Sequence, residues 1–461
     1  MKRASYDHIV LVSLDTLRSD GIAANPAPLW PRKYAVTRPP RTPGLDALAR
    51  SGAYFPHCIT AAPYTSAAHG SILTGRWPVR HGAFEFFRGR VRAPTLFTRA
   101  ARAGYTTVLK VDFPIILGPT LGFTNDVDHY LVEDDERFLE LLAAAPRTLS
   151  CVHFGGLHIP YGFHSLRFGG EAYRAKVAEL ESALPRLDAI PVDRLVETYR
   201  DADDYELLVR YKRVVQHLYL EGAYDQLFAL YLEGVERFLR DRFQPFLDRL
   251  VATMEGRRWL LVLFGDHGEE YDADSYGHYN TLAEGALRVP LVLWGADVPR
   301  GLHTSRVRTV DIAPTVVEMA GLAGGTGGMD GATLTPLLRG DAGAGDRTAF
   351  VQAYVPETAR HVEYQRRLLE RGTRPSSLRH YLLKEAVYEG GWKLTRQNYR
   401  YGPESTFGEI EPCAPVLSLE RASFEELPTP AADAGVEGRL AARLDAFNRL
   451  RGSRASAVAA R

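Results

Sequence analysis

Five short apolar runs limit what this chain can fold into: "HIVLVSLD" (8–15), "YTTVLKVD" (105–112), "TLSCVHFGG" (148–156), "WLLVLFGDHG" (259–268) and "LRVPLVLWG" (287–295). Each contains both Val and Leu and closes on Asp or Gly. Such runs are too short for a buried helix, and an apolar stretch without alternation fits a strand covered on both faces, as in a parallel sheet. Helix-like stretches stand between them, at 42–52, 94–104, 221–255 and 311–322. The alternation predicts an α/β fold, a mostly parallel sheet sandwiched by helices.

With 461 residues, 45% of them hydrophobic, the chain can bury one large core and carry a smaller appendage. We expect the main α/β domain over 1–345, interrupted at 160–225 by a charged, Tyr-rich helical insertion that is either a cap or a solvated decoration. Residues 346–430 read as a small antiparallel subdomain and 431–461 as a terminal helix and tail, with Leu440, Leu444 and Phe447 on one helix face. Lys plus Arg equals Asp plus Glu at 56 each, so no global field points to nucleic acid or an anionic membrane. Cys58, Cys151 and Cys413 are odd in number and lack C-x-x-C spacing, which fits reduced thiols and a cytoplasmic setting. The first apolar run stops at Asp15, reading as a strand rather than a leader, and no run reaches the length of a membrane helix.

In open α/β sheets ligands sit beyond the carboxyl ends of the strands. Asp15 closes the first run, and Asp266 with His267 closes the fourth. A third polar stretch, "PYTSAAHGSILTG" (63–75), reads as a helix start with Thr65 at the N-cap, where unpaired N–H groups favour an anionic ester. Such a Thr is ordinarily only a cap. Two carboxylates and an imidazole, however, form a divalent-metal ligand set, and a metal turns a hydroxyl into a competent nucleophile near neutral pH. A site of Asp15, Thr65, Asp266 and His267, small and containing nitrogen, suits one Mn, Zn or Mg ion better than Ca.

The segments "IVLVSLDTLRSD", "TPGLDALARSGAYF", "TSAAHGSILTGRWPVRHGA", "HIPY", "FGDHGEE", "YGHYNTLAEGALRVPLVLWG" and "TVDIAPTVVEMAGL" follow one another in the order and approximate spacing of a known family. The chain resembles the sulfatase-like branch of the alkaline phosphatase superfamily. "GGWKLTR" followed by "VLSL" resembles that family's C-terminal subdomain, so the likeness spans nearly the whole chain.

The resemblance implies a metal-dependent hydrolase of a small anionic ester. The family's C/S-x-P-S-R motif supplies a Cys or Ser that is oxidised to formylglycine; here its positions hold Thr65, Ala67, Ala68 and His69. The extra methyl of Thr leaves no route to the aldehyde. A Thr sulfate ester therefore lacks the family's elimination exit, whereas a phosphothreonine is resolved by water attacking phosphorus. The paired Asp-Asp has become Asp15-Thr16 and the Asp-Asn has become Asp266-His267, changes that resemble phosphodiesterase and phosphonate monoester hydrolase relatives.

The implied reaction is hydrolysis of a phosphodiester, or of a phosphate or phosphonate monoester, through a phosphothreonine at Thr65. The resemblance carries over His158 as proton donor to the leaving oxygen and His278, in place of a Lys, as a contact to the transferring group. It carries over His69, in place of an Arg, as a contact to a non-bridging oxygen. For each, a structural His bonded to backbone is the alternative. His153 and His81 read as structural, and Arg18 with Asp20 as an ion pair supporting the first loop. A sulfatase working without formylglycine, a phosphotransferase and a non-catalytic binding module stay open as rivals.

Overall fold

The computed structural model describes residues 6–84, 89–184, 187, 190, 201–279, 281–322, 324–354, 382–401 and 410–449. Part of the 160–225 insertion, Asn280 of "YGHYN", stretches of the 346–430 region and the tail after Arg449 lie outside the described residues.

The five apolar runs all form strands. In chain order the elements are β1 (His8–Leu14), β2 (Ala53–Ile59), β3 (Thr106–Val111), β4 (His129–Val132), β5 (Thr148–Phe154), β6 (Trp259–Gly265), a hairpin of β7 (Glu270–Asp272) and β8 (Ser275–Gly277), then β9 (Arg288–Gly295), β10 (Gly301–Leu302) and β11 (Val307–Arg308). The main sheet runs β10-β2-β9-β6-β1-β5-β3-β4, with β11 also on β2. At its centre β1 pairs in parallel with β5 and β6, Val12 lying opposite Val152 and Leu263. Ile9 and Leu11 enter one core, Val10, Val12 and Leu14 the other. Burial on both faces is why these strands show no polar alternation.

One expectation needs correction. Residues 287–295 were expected as a parallel strand, yet β9 runs antiparallel to both β6 and β2. The 22 residues from Asp266 to Leu287 contain the β7–β8 hairpin and a turn of helix at Glu284–Leu287 rather than a full-length crossover helix. The chain therefore re-enters the sheet from the end at which it left.

Helices cover both faces. One side carries Thr65–Thr74, Leu96–Arg102 and Ile312–Ala320; the other carries Asp135–Ala144, Leu166–Ser182, Ala202–Leu220, Tyr224–Phe238 and Gln244–Thr253. The described helices of the insertion bury Tyr173, Val177, Leu207, Tyr211, Val214 and Val215 in that second core, so they form a packed layer and not a solvated decoration. None of the described helices is long and apolar enough to cross a membrane.

A separate antiparallel sheet follows, ordered β12 (Ala349–Tyr354), β13 (Leu382–Glu389), β14 (Trp392–Tyr401), β15 (Ile410–Arg421) and β16 (Thr429–Pro430). The Ala434–Arg449 helix lays Leu440 and Leu444 on Val387, Leu394 and Leu419, while Phe447 stacks on Phe350 at 4.2 Å.

Candidate active site

Three chain segments meet beyond the carboxyl ends of β1 and β6. After β1 the Asp15 N–H donates to Phe154 O at 3.0 Å, and Leu17 N–H turns back to Leu14 O at 3.2 Å. The turn places Thr16 at φ 60°, a left-handed conformation unusual for a β-branched residue, and its N–H donates to Asp266 Oδ1 at 3.2 Å. Beyond β6, Gly265 and Gly268 are required by close approach. A Cβ at Gly265 would strike the Leu17 carbonyl, and one at Gly268 the Gly285 carbonyl.

The third segment is the Thr65–Thr74 helix, buried at all ten positions and stopped by Gly75 at φ 65°. Here the structure corrects the sequence expectation. Tyr64 is the N-cap, Thr65 is the first helical residue, and no side chain caps the helix. Released from capping, the Thr65 hydroxyl faces the ends of β1 and β6, 3.4 Å from Asp15 Oδ2 and 3.2 Å from His267 Nε2.

His267 Nδ1 contacts Gly268 O at 3.1 Å, and because a carbonyl only accepts, Nδ1 carries the proton. Nε2 is thereby left as a bare lone pair, 3.4 Å from Asp15 Oδ1 and 3.7 Å from Asp266 Oδ2. Both of those carboxylate oxygens are buried without a hydrogen-bond partner. One ligand atom from each of Asp15, Asp266 and His267 lies within 4.8 Å of the others. Burial, and then the neighbouring Asp15, push the Asp266 carboxyl up to about 7. Burial raises Asp15 as well and lowers His267 to about 4. Three acceptors pointing at one another, with the Thr65 hydroxyl the single donor beside them among the described residues, is the arrangement a divalent cation satisfies, with the second His nitrogen donating to backbone as in ligating histidines. The residues present fit such an ion.

His69 and His153, with Asp266, form a second group of close ligand atoms. Their nitrogens are already engaged: His69 Nδ1 donates to Thr65 O and Nε2 meets Ser13 Oγ, both at 2.9 Å, while His153 Nε2 donates to Asp15 Oδ2 at 3.1 Å. His69, expected to touch a non-bridging oxygen, thus braces the first turn of the helix against β1. His153, expected to be structural, orients Asp15. His81 accepts from Ala83 N at 3.1 Å and meets Ser71 Oγ at 3.1 Å; it fills the space beside Gly70, where a Cβ would collide with its ring.

His158, half-buried, fixes Nδ1 on Ile159 O at 3.0 Å, and its ring stands 5.1 Å from that of His278. His278 is 4% exposed and 4.4 Å, ring to ring, from His267. Arg18 grips Asp20 with Nε and Nη2 at 2.8 and 2.9 Å and also holds the Glu269 carbonyl at 2.8 Å. Glu269 itself was missed by sequence reasoning. Its Oε1 lies 2.8 Å from His278 Nδ1, it is 1% exposed, and burial pushes it up to about 7. In "FGDHGEE" it is one of two adjacent glutamates, and nothing in that string tells a buried Glu from a solvated one.

The family model described as Sulfatase matches residues 7–113 and 124–322. A choline-sulfatase from Rhizobium meliloti (strain 1021) is 24% identical over 353 residues, covering 65% of this chain and 67% of that protein. A steryl-sulfatase from Mus musculus is 26% identical over 447 residues, covering 72% and 70%. Among solved structures, the phosphonate monoester hydrolase SpPMH from Silicibacter pomeroyi shares the fold, with a TM-score of 0.60 at 15% identity over 97% of this chain and 95% of that one.

Proposed function

The chain belongs to the Sulfatase family and is a hydrolase of the alkaline phosphatase superfamily, and from that premise we propose that it hydrolyses phosphate esters, phosphodiesters or phosphate or phosphonate monoesters, through a phosphothreonine at Thr65. The observation that carries this reading is the Thr65 hydroxyl, free of any capping role, aimed at the acceptor cluster of Asp15, Asp266 and His267. Asp15, Thr65, Asp266 and His267 would hold one divalent cation, which supplies Lewis acidity toward the hydroxyl and the ester oxygens.

The remaining work falls to side chains. The ester approaches from the side of His158, the half-buried member of the cluster. The Thr65 hydroxyl passes its proton to Asp15 Oδ2, 3.4 Å away, as Oγ1 attacks phosphorus in line with the leaving alcohol, near the N–H groups at the helix start. His158, with Nδ1 anchored on Ile159 O, presents Nε2 and protonates the departing oxygen. Water then attacks phosphorus, and Thr65 leaves. His69 and His153 hold the helix and Asp15 in register throughout.

Sulfate ester hydrolysis is the second reading, favoured by the names of the curated relatives. Against it stands the chemistry at position 65, since Thr cannot become formylglycine. Parallel assays with aryl phosphodiester, phosphonate and sulfate substrates separate the two. We expect phosphorus substrates to be turned over faster; sulfate turnover exceeding them would reverse the assignment. Thr65→Ala is expected to lower kcat by at least about 10³-fold while leaving the melting temperature and circular dichroism unchanged.

A further inference from the structure

The β7–β8 hairpin ends on the pair Glu270–Gly277, so the residues just outside it, Glu269 and His278, are carried to the same place although nine positions apart. Glu270 is fully engaged, by Arg18 at 3.2 Å, by the Tyr34 hydroxyl and by Gly285 N–H at 3.1 Å. Glu269 differs. Its backbone carbonyl is fixed by Arg18, its Oε1 is 2.8 Å from His278 Nδ1, and its Oε2 is buried without a hydrogen-bond partner. Gly277, at φ 70°, leaves room for that carboxylate: a Cβ there would lie 2.7 Å from Oε2. The other nitrogen of His278, Nε2, is likewise buried and unpartnered, in a ring packed against His267 and His158. A buried imidazole with one nitrogen on a carboxylate and the other unused is the geometry of an oriented base.

We propose that Glu269 is a positioning residue that makes His278 the base of the second half-reaction, and so commits the protein to hydrolysis rather than transfer. This rests on the phosphothreonine reading above. Glu269 accepts the Nδ1 proton of His278 and thereby fixes the tautomer in which Nε2 is bare; what it controls is where a proton already on the ring sits. In the step itself, Nε2 takes a proton from water as the water oxygen bonds to phosphorus. The P–O bond to Thr65 Oγ1 breaks, its electron pair goes to Oγ1, and the imidazolium returns the proton there. The sum is phosphothreonine plus water giving free threonine and the phosphate product.

The test uses the full-length protein loaded with a divalent metal and an aryl phosphodiester. In Glu269→Gln the amide donates to Nδ1, moves the ring proton to Nε2 and removes the base. The first-turnover burst of phenol is expected to stay within about twofold of wild type, while steady-state turnover falls at least tenfold and a Thr65-linked phosphoryl adduct accumulates in acid-quenched mass spectra. His278→Ala is expected to show the same split, the double variant to be no slower than His278→Ala, and added imidazole to restore turnover in His278→Ala. Independently of activity, ¹⁵N spectroscopy of His278 is expected to show the proton on Nδ1 in wild type and on Nε2 in Glu269→Gln. Equal loss of burst and steady state, additive effects in the double variant, or an unchanged tautomer overturns the role of Glu269 and leaves the nucleophile in place. Absence of any adduct in all variants, with Thr65→Ala still active, overturns the nucleophile and this proposal together.

Discussion

Asp266 carries the sharpest electrostatic consequence of the site. Without a cation its carboxyl is pushed up to about 7, by burial first and by Asp15 second. A carboxyl that titrates higher folded than unfolded binds more protons in the native state, so its contribution to stability falls as pH rises from about 4 to about 7. Measured against Asp266→Asn, in which the buried histidines are unchanged, chelated wild type is therefore expected to lose melting temperature between pH 5 and pH 8, and added Mn or Zn is expected to cancel that relative loss. Asp266→Asn is also expected to abolish metal uptake; a difference between wild type and variant that is the same at both pH values and unmoved by metal would contradict the site. At this scale much was legible in the sequence. Asp15, Asp266 and His267 could be picked out because each follows directly on an apolar run, and Thr65 because it opens a run of small residues. His153 could not, since a lone polar residue inside "CVHF" gives no sign of which neighbouring strand it will face.

The elements around the site are held by a buried ionic knot. Lys110 Nζ reaches Asp112 at 2.5 Å and Asp135 at 2.6 Å, and Arg242 spans the same two carboxylates at 2.7 and 3.0 Å. Asp112 Oδ2 also accepts Gly155 N–H at 2.8 Å, which ties the start of the His158 loop to the end of β3. Burial alone would raise the Asp112 carboxyl, but Arg242 and Lys110 hold it well below the ordinary range. The stabilisation is complete above the unfolded-state value near 4 and drains away below it, so the knot is a source of acid lability. Asp112→Ala leaves two buried cations short of a partner, and a loss of about 3–5 kcal/mol is expected in urea unfolding at pH 7, with the gap from wild type narrowing toward pH 2. The knot was not visible in the sequence, because its ionic members come from three separate segments, at 110–112, 135 and 242. Strand existence was readable wherever apolar residues dominated the run, even across Pro290 in "LRVPLVLWG". It failed for β2, whose "AYFPHCI" sets Pro56 beside His57, for the four-residue β4, and for the direction of β9, since apolar patterning carries no sense of direction.

Across the whole molecule, two of the contacts by which the C-terminal sheet braces the catalytic half flank the site. Gln352 N–H donates to Ala61 O at 3.0 Å, just before the Thr65 helix, and Lys393 Nζ reaches Leu282 O at 2.6 Å and Glu284 at 2.9 Å, just after His278. Glu284 also accepts from the Tyr388 hydroxyl at 2.7 Å and pairs with Arg288, so one buried carboxylate joins the two sheets. Lys393→Met is expected to destabilise the protein by about 3 kcal/mol and to speed thermolysin cleavage between residues 278 and 288, and the Lys393→Met/Glu284→Gln double variant, which also strips the buried Arg288 of its carboxylate, to lose more. A double variant no worse than the single would show that the joint is held by something other than charge pairing. The one reversed strand offers a different opportunity. Because β6 and β9 lie side by side, with Phe264 opposite Leu291, the excursion between them begins and ends at adjacent anchors. Closure entropy there grows only slowly with length, so foreign segments spliced in place of residues 272–275 give protein engineers a place to add to the chain while the sheet beneath keeps its registration.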